Sequence, residues 1–517
     1  MLLLACAPQP LDLPGPPEPD RWTVQAEEHL PPVGLVLNEV MSANASAVMG
    51  PEGLQDWVEL YNGGRDAVDL SRVGLQSGSS VWQGSGVLEA GGHLLIWDDE
   101  LPFGLNSQGE ELELLLDGEL IEAVATGDLP DDVALLRYPD GGPWTFGLDV
   151  TPGWTNRPPT ESLDASDSLF GPFHMLAVDL EVPESSLQSL EQARETKVPA
   201  TATIDGVSMD VGVRLKGRWG SKRELSQKAA WKIDFNLYEP GQRFRGQEAL
   251  TLNNMVQDPT YVHEFLTYGV YRSLDMPAAR TGWAWLRVNG EDYGLYAAIE
   301  SIDDRFLKRW WKDGSGVMYE GAYGVDFSAG EEQLFELDEG EPDDEDRSDL
   351  LAVVEALDRE PSEENLAAVE GVVDVDQFLM NMAIEVNLLH WDGYTTSNNY
   401  RVYRDPRSGL FSIIPWGSDQ TWVDRWYDLY QGYGRVFTWC LDVPSCRVRY
   451  EQVVVEVSDH IVAMDLAPQL TEVLAWLQPW VDRDPRREWS DEERQWEIDT
   501  TYETLADWIP ALADRLR

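Results

Sequence analysis

Residues 213–235 read VRLKGRWGSKRELSQKAAWKIDF, and residues 390–421 read HWDGYTTSNNYRVYRDPRSGLFSIIPWGSDQT. The first segment reverses the charge of the chain around it. Between Arg214 and Arg245 stand nine basic residues (Arg214, Lys216, Arg218, Lys222, Arg223, Lys228, Lys232, Arg243 and Arg245) and three acidic ones, a local +6 in a chain that totals −55. Arg214, Lys216 and Arg218 alternate along Val213–Trp219 as one face of a strand would, and Lys228 and Lys232 share parity along the strand-like run Gln227–Leu237. A concentrated basic face in so acidic a protein suits a polyphosphate. Ion pairing with the protein's own surplus acids is the alternative. In the second segment Asp392 is followed by Asn399, then by a strand–turn–strand through Arg404–Gly409, then by Asp419. Phosphoryl transfer uses such a layout: one carboxylate orients the attacking hydroxyl, while an Asn and a second Asp hold Mg²⁺ against the phosphates. Taken singly, each Asp is more often a turn or helix-cap residue.

Outward from these segments the pattern divides. Strand-like stretches run from about Met175 to Glu300, and helical spacing follows from Ile302 onward, over Leu350–Leu357, Val373–Leu389, Glu451–Leu466 and Tyr502–Leu516. A β-rich half before an α-rich half predicts an α+β domain with a cleft between two lobes, over residues 172–517. The acidic run Asp338–Asp346 lacks the regular spacing of a calcium loop and reads as a solvated insertion. Upstream, short strands between Gly, Asp and Asn turns (Leu35–Glu39, Asp56–Tyr61, Gly92–Trp97, Glu111–Leu116) predict an all-β sandwich over residues 33–157. Residues 158–171 read as a polar linker.

Residues 7–32 are a Pro-rich, acidic spacer with six prolines between Pro8 and Pro19. Before them Leu3-Leu4-Ala5-Cys6 resembles a bacterial lipobox, with Cys6 as the lipidated residue and residues 1–6 as a signal remnant. The usual basic n-region is absent, which points to a start codon further upstream. The alternative is a hydrophobic terminus with a free or buried thiol. The other two cysteines, Cys440 and Cys446, flank a proline. Outside the cytosol they would close a small disulfide loop, and two buried thiols are the alternative.

Composition narrows the function classes. With 93 Asp and Glu against 38 Lys and Arg, most of the surface repels nucleic acid and anionic lipid. No apolar run is long enough to span a membrane, so membrane contact is expected only through a lipid anchor. Three Cys and six His form no zinc pattern. Neither G-x-x-x-x-G-K-[ST], G-x-G-x-x-G nor G-x-S-x-G occurs. The 22 Trp prompt a glycan-binding reading, although most are expected as packing aromatics.

Two resemblances follow from the motifs. Val36–Val40, Asp56–Asn62, Gly91–Leu95 and Thr151–Asn156 are similar to a lamin-tail domain, which implies an immunoglobulin-like sandwich acting as an interaction or spacer module. Further on, the ordered set Arg214–Gly217, Lys228–Phe235, Gly241–Phe244, Leu252–Asn254 with Asp258, Val288–Tyr296 ending at Glu300, Trp391–Tyr394 with Asn399-Tyr400, and Ile414–Trp416 resembles the CotH kinase family. That resemblance implies a divergent protein-kinase-like fold using ATP and Mg²⁺, with Mn²⁺ as an alternative ion, to phosphorylate Ser or Thr of exported proteins. It implies Asp392 as catalytic base, Lys228 as the phosphate-contacting lysine with Lys216, Lys232 and Arg214 beside it, and Glu300 as partner of that lysine or of metal. Asn399, or the adjacent Asn398, and Asp419 are implied as metal ligands. The implied location is the bacterial envelope, lipid-anchored, in the periplasm or at the cell surface. Two departures stand out. The family usually reads Pro-Trp-Asp-x-Asp where this chain has Pro415-Trp416-Gly417-Ser418-Asp419, and a usual Lys pair is Lys228-Ala229 here. The departures make an inactive surface-binding or structural protein the alternative.

Overall fold

The computed structural model describes residues 34–45, 47–48, 50–51, 53–127, 129–148, 150–156, 164–218, 220–342, 347–423 and 428–517. Cys6, the spacer 7–32 and residues 158–163 of the expected linker lie outside these. The remainder of that linker is packed: Asp164 caps a short 3₁₀ turn, Ala165–Leu169, and Leu169 is buried in the core of the next unit.

The N-terminal region is β-rich, as its alternation predicts. One antiparallel sheet holds Leu35–Met41, Trp57–Asn62, His93–Trp97, Ala134–Arg137 and Trp144–Gly147. A second holds Val73–Ser77, Ser80–Gln83, Glu111–Leu116 and Glu119–Ala125. Leu35, Leu37 and Leu60 of the first share one apolar core with Leu75, Leu112 and Leu114 of the second. The residues after the last strand return as a strap. The Gly153 N–H donates to Glu59 at 2.6 Å, Asn38 donates to the other Glu59 oxygen at 2.8 Å, and the Asn156 amide donates to the Arg137 carbonyl at 2.9 Å. Buried carboxylates of this kind are tolerated only when hydrogen-bonded, which accounts for Asn38, Glu39, Glu59 and Asn156 being polar residues in a core.

Residues 175–300 do more than alternate. Met175–Glu181, Val198–Ile204, Val207–Lys216, Ala230–Asp234, Ala249–Asn253, Glu291–Glu300 and Thr281–Val288 form a closed barrel in that order. Closure comes from the parallel pairing of Met175–Leu180 with Trp283–Val288, which no local pattern announces. Val211, Val213, Leu215, Trp231 and Ile233 fill the interior, so the even-numbered neighbours on those strands project outward. Two helices interrupt the strands, Glu184–Gln192 and His263–Ser273.

The C-terminal half is helical around a four-stranded sheet made of Glu336–Glu339, Val317–Gly321, Tyr400–Arg404 and Phe411–Pro415. Helices Ser348–Leu357, Val375–Asn387 and Pro444–Met464 match the predicted periodicity. Helix Leu466–Arg483, with Pro479 inside it, does not follow from the sequence pattern. The predicted solvated insertion begins as a strand, because Asp338 bonds Arg401 at 2.6 Å. Cys440 and Cys446 are joined by a disulfide, and they lie on helices Arg435–Leu441 and Pro444–Met464 rather than in an open loop. Among the described residues no helix is long and apolar enough to cross a membrane.

Candidate active site

The nine basic residues between Arg214 and Arg245 separate into two groups. Six are ion-paired: Arg218 with Glu336 at 3.5 Å, Lys222 with Glu224 at 3.8 Å, Arg223 with Glu488 at 2.5 Å, Lys228 with Asp484, Arg243 with Asp131 at 2.8 Å and Arg245 with Asp205 at 3.1 Å. Among the described residues Arg214, Lys216 and Lys232 make no ion pair. These three are the even-numbered positions on the barrel's outer face, with Arg214 directly across from Lys232 in the ladder. Burial, then Lys232, Arg401 and Arg214, bring the Lys216 ammonium down to about 7, and burial likewise lowers Lys232. The indole of Trp416 holds the cluster, with Lys216 Nζ 4.5 Å and Arg401 Cζ 4.8 Å from its ring centre. Arg401 bonds Glu320 at 2.8 Å and Asp338 at 2.6 Å, yet its buried Nη1 has no partner among the described residues. Asp234 and Asp303 act on Lys232, and Glu320 acts on Lys216 and bonds Arg401, yet four cations drawn together remain unfavourable unless an anion joins them.

Two expectations from the family resemblance fail here. Lys228 does not face this cluster. It lies two residues before strand Ala230–Asp234 begins, is fully buried, and pairs with Asp484 beside the rings of Tyr261 and Tyr296. Gly294, at φ +97°, makes room for Asp484, because a side chain there would overlap the carboxylate. Lys228 therefore joins the barrel to the C-terminal helices, its ammonium directed at Asp484 and Tyr261. Glu300 is also engaged. One oxygen accepts from the Arg280 guanidinium at 2.7 Å, while the other accepts from the Arg280 N–H at 2.9 Å and from Arg309. It partners neither Lys228 nor an open metal position.

A second group of residues is acidic and amide-bearing. Asp392 is half-buried. Asn398 donates to its Oδ1 at 3.0 Å and Asn399 to its Oδ2 at 3.0 Å, while Asn399 also donates to the Asp392 carbonyl at 2.9 Å. Burial raises the Asp392 carboxyl and the two asparagine bonds hold it back. Asn399 is in the left-handed region at φ 48°, which an Asn tolerates, and its Oδ1 is left without a donor among the described residues. Against Asn399 lies Gly417 at φ +57°, where a Cβ would come 2.9 Å from Asn399 Cγ. The glycine that replaces the family's usual Asp thus fills no gap. Burial pushes Asp419 well up, and Glu264, Asp258 and Asp392 add to the effect. The Asp419 carboxylate has no ion pair among the described residues.

Glu264, which sequence reasoning did not single out, links this group to the cations. It stands in the first turn of helix His263–Ser273, buried, accepting from Asn253 Nδ2 at 2.8 Å. Burial brings it up to about 7, with Asp258 raising it and Lys216 lowering it. Asp258 orders the start of that helix, accepting from the N–H groups of Thr260 at 2.8 Å, Tyr261 at 3.1 Å and His263 at 2.9 Å. Asn254 ties down the preceding loop by donating to the carbonyls of Ser221 at 2.9 Å and Lys228 at 2.7 Å. Asn253, Asn254 and Asp258 were legible as motif residues; Glu264 and Arg401 carried no local signal.

Among the described residues no three His, Cys, Asp or Glu side chains close to metal-ligand distance. The donor set still fits a divalent cation. Asp419 is a carboxylate without a counterion, repelled by three others, and Asn399 Oδ1 is a free oxygen donor. Mg²⁺ commonly takes only one or two protein oxygens and completes its shell with phosphate and water. Glu264, which feels Lys216 and acts on Asp419, links the cationic strand face to the carboxylate–amide group, so cations for phosphate and oxygens for a metal stand near one another.

A family model described as CotH kinase protein matches residues 213–514, more than half of the chain. The chain is 25% identical over 344 residues to inner spore coat protein H of Bacillus subtilis (strain 168), covering 62% of this chain and 91% of that protein. It is also 25% identical over 321 residues to invasin CotH2 of Rhizopus delemar, covering 59% of this chain and 50% of the invasin. The cationic strands, the Asp392–Asn399 pair and Asp419 all fall within the matched residues, and this chain belongs to the CotH kinase protein family.

Proposed function

We propose that this protein is an atypical Ser/Thr protein kinase of the bacterial envelope, transferring the γ-phosphoryl group of ATP to exported proteins. The observation that supports the reading is the set of three cations without an ion pair among the described residues, Arg214, Lys216 and Lys232, linked through Glu264 to Asp419 and its neighbours Asp392 and Asn399. In this reading the cations and Arg401 bind the phosphates, and Asn399 with Asp419 hold Mg²⁺ or Mn²⁺. The metal, when bound, neutralises phosphate charge. Asp392, steadied by its two asparagines, takes the proton from the acceptor hydroxyl as that oxygen bonds the γ-phosphorus and the bond to the β-phosphate oxygen breaks, releasing ADP. The N-terminal β-rich region is read as a lamin-tail sandwich. The strap that ties Thr151–Asn156 to Asn38, Glu39 and Glu59 supports that reading. The relatives, a spore coat protein and an invasin, favour a surface location, and Cys6 is the proposed lipid anchor.

The experiment is titration of the protein with ATP and Mg²⁺ by calorimetry, for the parent, Lys216→Met and Asp419→Asn. The reading expects saturable binding that weakens at least tenfold in each variant. Failure of the parent to bind would overturn it. A second reading, a nucleotide-binding protein without transfer, draws on Gly417, which contributes no ligand where the family usually has an acid. Binding in the parent without transfer under any divalent ion would select it.

A further inference from the structure

Helix His263–Ser273 has a second wall away from the cleft. Phe265, Gly269 and Arg272 recur along one face of it, and together with Phe170, Thr281 and Leu466 they enclose a cavity of about 370 Å³. Its walls are mostly apolar, but its polar groups are unusual. Arg272 makes no ion pair among the described residues, and one Nη donates to the Ala279 carbonyl. Thr281 is 2% exposed and its Oγ1 has no partner. Arg280, 9% exposed, is neutralised at its Nη groups by Glu300, Asp164 and Asp167, but its Nε is buried and unpartnered. Buried donors left without an acceptor are unfavourable unless something satisfies them.

We propose that this cavity is a binding site for a small organic carboxylate with an apolar tail, its headgroup on Arg272 and Thr281 and its tail against Phe170, Phe265 and Leu466. A monoanion fits better than a phosphate. Arg272 is the one lining cation without an ion pair among the described residues; Glu300 acts on it but is bonded to Arg309 and Arg280, and Phe170, Pro172, Phe265, Leu266 and Leu466 supply apolar wall. Burial first lowers the Arg272 guanidinium to about 10; Glu300 opposes the fall, Arg309 and Arg280 add to it, and an incoming carboxylate would oppose it further. The site owes nothing to the kinase reading, although the helix that forms its wall carries Glu264 at its other end.

Calorimetric titration of the full chain with octanoate and with octanamide tests it. Octanoate is expected to bind, and the amide, equal in shape but uncharged, at least tenfold more weakly. Arg272→Met should remove that preference. A Cβ at Gly269 would meet nothing within 4 Å, so Gly269→Leu extends into the cavity without burdening the helix and should abolish binding of both probes. Equal binding of octanoate and octanamide would overturn the proposal. So would octanoate binding that survives either substitution, or no binding to the parent.

Discussion

Replacing Gly417 with Asp restores the Pro-Trp-Asp-x-Asp spelling usual in the family, and the structure gives a definite expectation for the result. Gly417 sits at φ +57°, and a Cβ there would meet Asn399 Cγ at 2.9 Å and Nδ2 at 3.0 Å. A residue with a side chain in the left-handed region costs roughly 1–2 kcal/mol. Asn399 has little freedom to withdraw, because its Nδ2 is committed to the carbonyl of Asp392 at 2.9 Å and to its carboxylate at 3.0 Å. Breaking hydrogen bonds to a charged group adds about 1.5–3 kcal/mol. Together these predict about 3–5 kcal/mol of destabilisation, which lowers the melting temperature by several degrees. Gly417→Ala carries the backbone strain and the contact without the charge, so it should lose most of the same stability. Scanning calorimetry of parent, Asp and Ala variants reads this, and a phosphoryl-transfer assay beside it should find the Asp variant less active than the parent. An Asp variant that melts with the parent and transfers phosphate faster would refute the reasoning, because position 417 would then be a ligand position with room to spare.

Lys216 titrates near 7 against an ordinary 10.5, and an anion binds only its charged form, so nucleotide affinity should fall as pH rises through about 7. Lys216→Arg, charged throughout, should flatten that profile; a parent profile that rises with pH would be contrary. The same shift leaves the unfolded chain holding the proton between about 7 and 10.5, so this group alone makes stability rise with pH across that window. Lys228→Met strands Asp484 in the core and should cost about 3–5 kcal/mol, yet leave nucleotide affinity of the folded fraction unchanged. A selective loss of affinity would return Lys228 to the site. Cys440→Ser opens a disulfide spanning a sequence separation of 6, worth about 2 kcal/mol by chain entropy; dithiothreitol should lower the parent's melting temperature by a similar amount and leave the variant's unchanged.

The strands and helices that pack one face onto a core were legible because their periods are local. Val375–Asn387 follows directly from spacing, whereas the strand read over Val213–Trp219 ends at Lys216 and leaves Arg218 outside it. Barrel closure was not, since it rests on a parallel pairing between Met175–Leu180 and Trp283–Val288. The three site cations were visible as parity on a strand, and the same rule misassigned Lys228. Parity holds only inside the strand, and the chain turns inward before Ala230 toward an aspartate 256 residues away. Glu300 ends its strand as expected, but its counterions are Arg280, just before strand Thr281–Val288, and Arg309, on helix Asp304–Trp310, so a competent-looking acid is already neutralised. Glu264 escaped notice for the opposite reason. A Glu in the first turn of a helix is ordinary, and only the fold reveals that it lies between Lys216 and Asp419.

The most direct measurement is phosphoryl transfer by the purified protein from γ-labelled ATP with Mg²⁺ to itself and to a Ser-rich acceptor, with Asp392→Asn run beside it. The cleft predicts label on Ser or Thr with the parent and its loss in the variant, whose ATP affinity and melting temperature should stay close to the parent's. Equal labelling by parent and variant would contradict the role given to Asp392, and no labelling by a parent that binds ATP and Mg²⁺ would contradict transfer itself.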